Sequence, residues 1–300
     1  MHVSVYLLLI APALLATVSP MLARRLRPAL AVRLLTCSAA AVAAAATWEL
    51  ALLGCSLLGR APLLAERGHW SRDSLAAHDP VPELASWVAV CALLAAAAML
   101  RGRLRIRGRT LRGIRQVCRA CRPAGHDLLV LAEAKPWAFA VPGRLPTVVV
   151  STGMLRALDG PERQVLLAHE RSHLRHRHDR YQLIADLAAA AHPLLGRLRR
   201  DVGYSVERWA DEDAAEGVQD RALAARALAR AALASQRRVT PGLAFEQLAV
   251  RHRVAALEGP QPPLRVLPAL LPGLLAASAV LGAADATLSL YRLLEAALPH

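Results

Sequence analysis

The chain has 300 residues, 55% of them hydrophobic, and a formal net charge of +14. A mean hydropathy of +0.32 excludes an ordinary soluble globular domain. Five cysteines, an odd number, argue against a disulfide scaffold. Four apolar stretches are read as membrane spans, since a span needs roughly 17–25 apolar residues. The first, residues 3–22, holds Pro12 and Pro20 but no charge. It lacks the basic n-region of a signal peptide. Residues 34–58 follow with Glu49 as their only charge, then 84–100 with none, and finally 266–284. Cys37, Cys55 and Cys91 fall within these stretches as small apolar fillers.

Arginine placement sets the orientation. Arg24, Arg25, Arg27 and Arg33 lie between the first two stretches with no acid among them, and residues 101–122 hold nine arginines and no acid. The loop between the second and third stretches is balanced in charge. Basic flanks face the cytoplasm. Four spans then leave both termini outside and everything between the third and fourth spans inside. The expected layout is a three-span membrane domain over 1–100 and a basic juxtamembrane linker or helix over 101–125. A cytoplasmic domain over 126–260 and a fourth span with a short tail over 261–300 complete it. The basic run meets anionic membrane lipid. It has no aromatic interleaving, so no direct nucleic-acid binding is expected. Cys118 and Cys121 form a lone C-x-x-C, predicted to be free thiols.

The cytoplasmic segment is predicted to be α+β. Strands are expected at 128–132, 138–141 and 147–151, with Pro and Gly in the turns. Asp159, Pro161 and Glu162 mark the start of a helix that should run over 161–179. An apolar helix at 181–195 and a helix through residue 207 should follow. A helix at 221–238, a break at 239–242 and a helix at 243–257 come next. Pro260, Pro262 and Pro263 lead back to the membrane.

The helix at 161–179 contains His169-Glu170-Arg171-Ser172-His173. Residues i and i+4 share a helical face, so both imidazoles can reach one metal ion, and Glu170 can act as general base toward water. A zinc site needs at least one more protein ligand. Glu207 is the best candidate, with Asp211 one turn on to accept the free N–H of a ligating histidine. Glu212 and Glu216 repeat the spacing without the aspartate. His176 shares the face of His169, but lies about 10.5 Å from it along the axis.

With these residues in place, the chain resembles the membrane-embedded zinc metallopeptidases of the BlaR/MecR sensor-transducer type. It is also similar to the HtpX and CAAX-prenyl-protease group, which shares the minigluzincin core. The resemblance spans roughly residues 126–258. Its carriers are the run from Pro136 to Gly143, the run from Thr147 to Leu155, the His-Glu helix, the Glu207–Asp211 element and Arg253 to Leu257. It implies one zinc ion per chain held by His169, His173 and Glu207, with Glu170 as base and Asp211 in support. Arg253 is either a functional group or the partner of an acid.

The expected activity is a zinc metalloendopeptidase in a bacterial plasma membrane, acting on a cytoplasmic or membrane-associated protein. Tyr204, His176 and Arg253 are candidate oxyanion or substrate contacts, and 138–141 is the strand to which a substrate backbone would add. Regulated cleavage, with a transcriptional repressor as substrate, is one destination. Membrane-protein quality control of the HtpX kind is another, and a non-catalytic receptor with a relict metal site is a third. Residues 285–300 leave no room for the large outer sensor domain of BlaR/MecR-type proteins.

Overall fold

The computed structural model describes residues 2–60, 82–121, 126–235, 243–261, 263 and 266–297. Alanine and leucine are the strongest helix formers, and they dominate the long helices. These are α1 (His2–Arg25), α2 (Pro28–Arg60) and α3 (Glu83–Cys121) at one end of the chain, and α10 (Val266–Ala297) at the other. Among the described residues, three helices are long and apolar enough to cross a membrane: Pro28–Leu57, Glu83–Cys121 and Leu267–Arg292. The predicted span at 3–22 folds as α1, outside those three. The nine-arginine segment continues the third apolar stretch without a break, so it is helix rather than linker as far as Cys121. The loop between α2 and α3 lies outside the described residues.

A small sheet follows. β1 (Leu128–Leu131), β2 (Ala138–Val141) and β3 (Thr147–Ser151) are arranged β1-β3-β2. The Val-rich β3 is buried along its whole length, as a central strand should be. β1 runs parallel to it, with Leu129 opposite Val149. β2 runs antiparallel, with Ala140 opposite Val148, which leaves β2 on an edge of the sheet. The chain leaves β3 straight into α4 (Thr152–Ala157), capped by the Ser151 hydroxyl, which accepts from Met154 N–H. Gly153 is required there. A Cβ would stand 2.1 Å from the Ala134 carbonyl oxygen.

α5 (Gly160–Arg175) opens with a full capping box. The Asp159 carboxylate accepts from Glu162 N–H, and the Glu162 carboxylate accepts from Asp159 N–H. Glu162 is also gripped by Arg230 at 2.7 Å. The helix stops at Arg175, short of the expected end at 179. Arg177 takes the left-handed conformation at φ 52° and turns the chain. His178 is thereby carried into α6 (His178–Ala191). That helix ends before Pro193, which opens a 3-10 turn over Pro193–Leu195 where the sequence predicts continued helix. α7 (Gly196–Val218), α8 (Arg221–Ser235) and α9 (Leu243–Glu258) complete the domain. The predicted break at 239–242 and the end of the 221–238 helix lie outside the described residues.

The main core joins the two parts of the molecule. Leu15, Leu22, Leu26, Val32 and Leu35 of the first two helices pack with Leu195, Leu198, Val202 and Val206, all essentially without exposure. Small alanines let the helix axes approach closely. A buried Arg208 donates from Nη1 to the Ala23 carbonyl at 2.8 Å, satisfying one of the open carbonyls at the end of α1. Cys118 is buried with Leu129, Val141 and Val149, and Cys121 is exposed; neither forms a disulfide among the described residues.

Candidate metal centre

Three donor atoms converge between α5 and α7. His169 Nε2 and His173 Nε2 are 3.2 Å apart. Glu207 Oε2 lies 3.5 Å from the first and Oε1 lies 3.7 Å from the second. A tetrahedral zinc ion with donors at 2.0–2.1 Å separates them by about 3.3 Å. Two imidazole nitrogens and a carboxylate group, whose two oxygens face one nitrogen each, therefore fit zinc. Among the described residues, His169, His173 and Glu207 form the metal-competent group of His, Cys and acidic side chains.

The surrounding contacts fix how the donors point. His169 Nδ1 sits 3.0 Å from Asp211 Oδ1, so Nδ1 carries a hydrogen and Nε2 faces the cluster. Asp211 is in turn held by Arg253, whose Nε and Nη2 each donate over 2.7 Å. Arg253 Nη1 also reaches Glu207 at 3.1 Å. One nearly buried guanidinium thus pairs with two carboxylates, the buried Asp211 and the partly exposed Glu207. Sequence reasoning had no access to this double pairing, since it closes across 42 residues.

The histidines differ. Burial pulls the His169 imidazole down, but hydrogen bonds to Asp211 and Glu207 override it and raise the group to about 10. His173 has only burial of comparable weight and falls to about 4. Its Nδ1 faces His178 Nδ1 at 3.0 Å. His178 is 1% exposed, and its Nε2 has no hydrogen-bond partner among the described residues. Sequence reasoning missed His178 because it stands five residues beyond His173, off the helical repeat. Burial pushes the Glu207 carboxyl up, yet His169 and Arg253 hold it well below the usual carboxylate range. Asp211 is held down in the same way by Arg253. Glu170 is displaced in the other direction. Burial raises its carboxyl against the pull of His169, Arg253 and a hydrogen bond from Ala140 of β2.

The donors open into a cavity of about 530 Å³ between α5, α7, α8 and α9. His169, Glu170, Glu207 and Arg253 lie on its wall together with Trp137 and Leu228. The other sequence candidates stand elsewhere. His176 Nε2 binds Asp213 at 2.7 Å and stacks on Trp209 with ring centroids 4.5 Å apart. Tyr204 lines a different pocket beside Arg24. Glu212 is paired with Arg221 and accepts from Gln261 at 2.9 Å, while Glu216 is exposed. None of these four joins the donor cluster. His176, Glu212 and Glu216 thereby drop out as third ligands, and Arg253 is an ion-pair partner in this arrangement.

The sequence profile of Peptidase family M48 matches residues 109–198. That match supports a metallopeptidase of the M48 type. It takes in the sheet and the His-Glu helix, and ends before Glu207. Neither the curated proteins nor the solved structures contain a match to this chain.

Proposed function

We propose that the chain is a zinc-dependent endopeptidase held in a bacterial plasma membrane, with its catalytic domain, residues 126–260, on the cytoplasmic side. The observation that carries this is the His169–His173–Glu207 cluster, of which His169 and Glu207 line one cavity together with Glu170. His169, His173 and Glu207 would hold the metal. Bound there, zinc supplies Lewis acidity toward a carbonyl oxygen and toward water.

The chain's own residues divide the remaining work. Glu170, its proton affinity raised by burial, takes a proton from the attacking water and passes it to the leaving amine. Asp211 fixes the tautomer of His169, and His178 does the same for His173 by accepting its Nδ1–H. Arg253 keeps Asp211 and Glu207 ionised. β2 offers an open strand edge near the cavity, where Ala138 is part of the wall, so a substrate segment can add to the sheet as a further strand.

The substrate is read as a cytoplasmic or membrane-associated protein. A signalling role in which a transcriptional repressor is cut rests on the BlaR/MecR-type resemblance. The docking of α7 on α1 and α2 supports it, since a displaced membrane helix would reach Glu207 through one rigid element. Four spans and cytoplasmic arginines are part of the same reading.

The test is zinc content per chain of detergent-purified protein, wild type against Glu207→Ala. About one zinc per wild-type chain, lost in the variant, is the expected result. A variant that keeps its zinc overturns the three-ligand site, and zinc-free wild type overturns the enzyme.

A further inference from the structure

A second pocket, of about 230 Å³, lies at the junction of α1, α7 and α9. Its wall includes Arg24 from the end of α1, Arg197 and Arg200 from the start of α7, Tyr204 one turn on, and His252 from α9. None of the three guanidiniums makes a hydrogen bond or ion pair with another described residue. The acid in the wall is Asp201, already engaged by the Ser19 hydroxyl at 2.6 Å. Three guanidiniums against one carboxylate leave a net two positive charges around the pocket.

Unpaired arginines are common on a basic surface, and most are simply solvated. Three features set this group apart. The three arginines come from two helices, α1 and α7, that border one concave space. Two further polar groups join them, the Tyr204 hydroxyl and the His252 ring. The pocket also sits at a defined depth, because Arg24 closes α1 just before the candidate span that begins at Pro28. Headgroup phosphates lie at that level of a bilayer.

We propose that this pocket binds a phosphate oxyanion, presented by the headgroup of an anionic lipid at the membrane surface. Guanidinium forks match phosphate oxygens in pairs, which makes arginine the residue suited to such a site. The volume is below that of pockets for drug-sized ligands, about 300–1,000 Å³, and suits a headgroup. An occupant would touch α1, α7 and α9 at once. Tyr204 is one turn from Glu207 and His252 adjoins Arg253, so a bound phosphate braces the two helices that carry the third donor and its counter-ion. The site does not depend on protease chemistry.

The experiment titrates full-length protein in detergent with phosphatidylglycerol, phosphatidylcholine or inorganic phosphate. Binding is followed by melting temperature and by native mass spectrometry. Wild type is compared with Arg197→Gln/Arg200→Gln and with Arg101→Gln/Arg105→Gln, which removes two exposed arginines of α3. Apparent affinity for phosphatidylglycerol should fall at least about tenfold in the pocket variant, given the worth of a charge-assisted hydrogen bond, and hardly change in the control. A response to inorganic phosphate that is lost in the pocket variant, without one to lipid, assigns the site to a soluble phosphate. Equal losses in both variants reduce the effect to diffuse charge and overturn the pocket. So does a pocket variant that binds like wild type, or a wild type that answers neither phosphate source. Should the double variant not purify, Arg200→Gln alone carries the same comparison, with an expected loss of about threefold.

Discussion

The two faces of α7 are held by opposite means. One face presents Glu207 and Asp211, and everything that holds it is charged or polar: Arg253, His169 and His173. The other presents Leu198, Val202 and Val206 to α1 and α2, with no exposure at all. Apolar packing is non-directional, so it tolerates adjustment. A buried ion network has no such slack, because removing one member strands the others without water. The site face is therefore specific and brittle, and the membrane face is forgiving.

The largest expected effect separates chemistry from both faces. Glu170→Gln should lower cleavage of a protein substrate by about 10²–10⁴-fold while zinc content stays at the wild-type level. Cleavage equal to wild type removes the general base from the mechanism. Next comes the brittle face. Arg253→Gln leaves the His169 imidazole alone to offset the charges of Asp211 and Glu207 and should cost about 3–5 kcal/mol in metal-free protein, read by denaturant unfolding. On the forgiving face, Leu198→Ala should cost about 2–5 kcal/mol, toward the low end if neighbouring alanines close the gap. It should leave zinc affinity unchanged, and a parallel fall in affinity would show that the two faces are not independent. His178→Phe should weaken zinc about 10–100-fold by freeing the His173 ring, measured by competition with a chelator, and His178→Asn should restore part of it. The smallest effect is outside both faces. The Arg171–Asp127 pair is half exposed on each side, so Asp127→Asn should change stability by no more than about 1 kcal/mol.

Local chemistry made much of the site legible. The capping box at Asp159 and Glu162, the i, i+4 histidines and the Glu207–Asp211 pair depend only on residues within a turn of one another. The edge position of 138–141 also emerges in the structure, as β2. What stayed hidden depends on distant partners or on backbone that the residue type disfavours. Spacing could not separate Glu207 from Glu212; in the structure Arg221 pairs with Glu212, while Glu207 faces the two histidines. The end of the motif helix was misplaced because Arg177 adopts a left-handed conformation that arginine seldom takes. That same turn delivers His178, so the missed boundary and the missed residue have one cause. The long α3 was divided at its first arginines, where hydropathy changes but helix propensity does not.

The contact from Arg208 to the Ala23 carbonyl spans 185 residues of chain. At about 5–20 residues per second, a ribosome takes roughly 10–40 s to make that length. The end of α1 waits through this interval with its carbonyls uncapped, and Glu207 arrives only in the same turn of helix as Arg208. Glu207, the candidate donor outside α5, is thus made after the N-terminal helices. A nascent chain released early, or stalled before α7, carries two histidines and a glutamate but no complete centre. The order of synthesis thus completes the candidate donor cluster only after α1 to α3 have been made, although before α10.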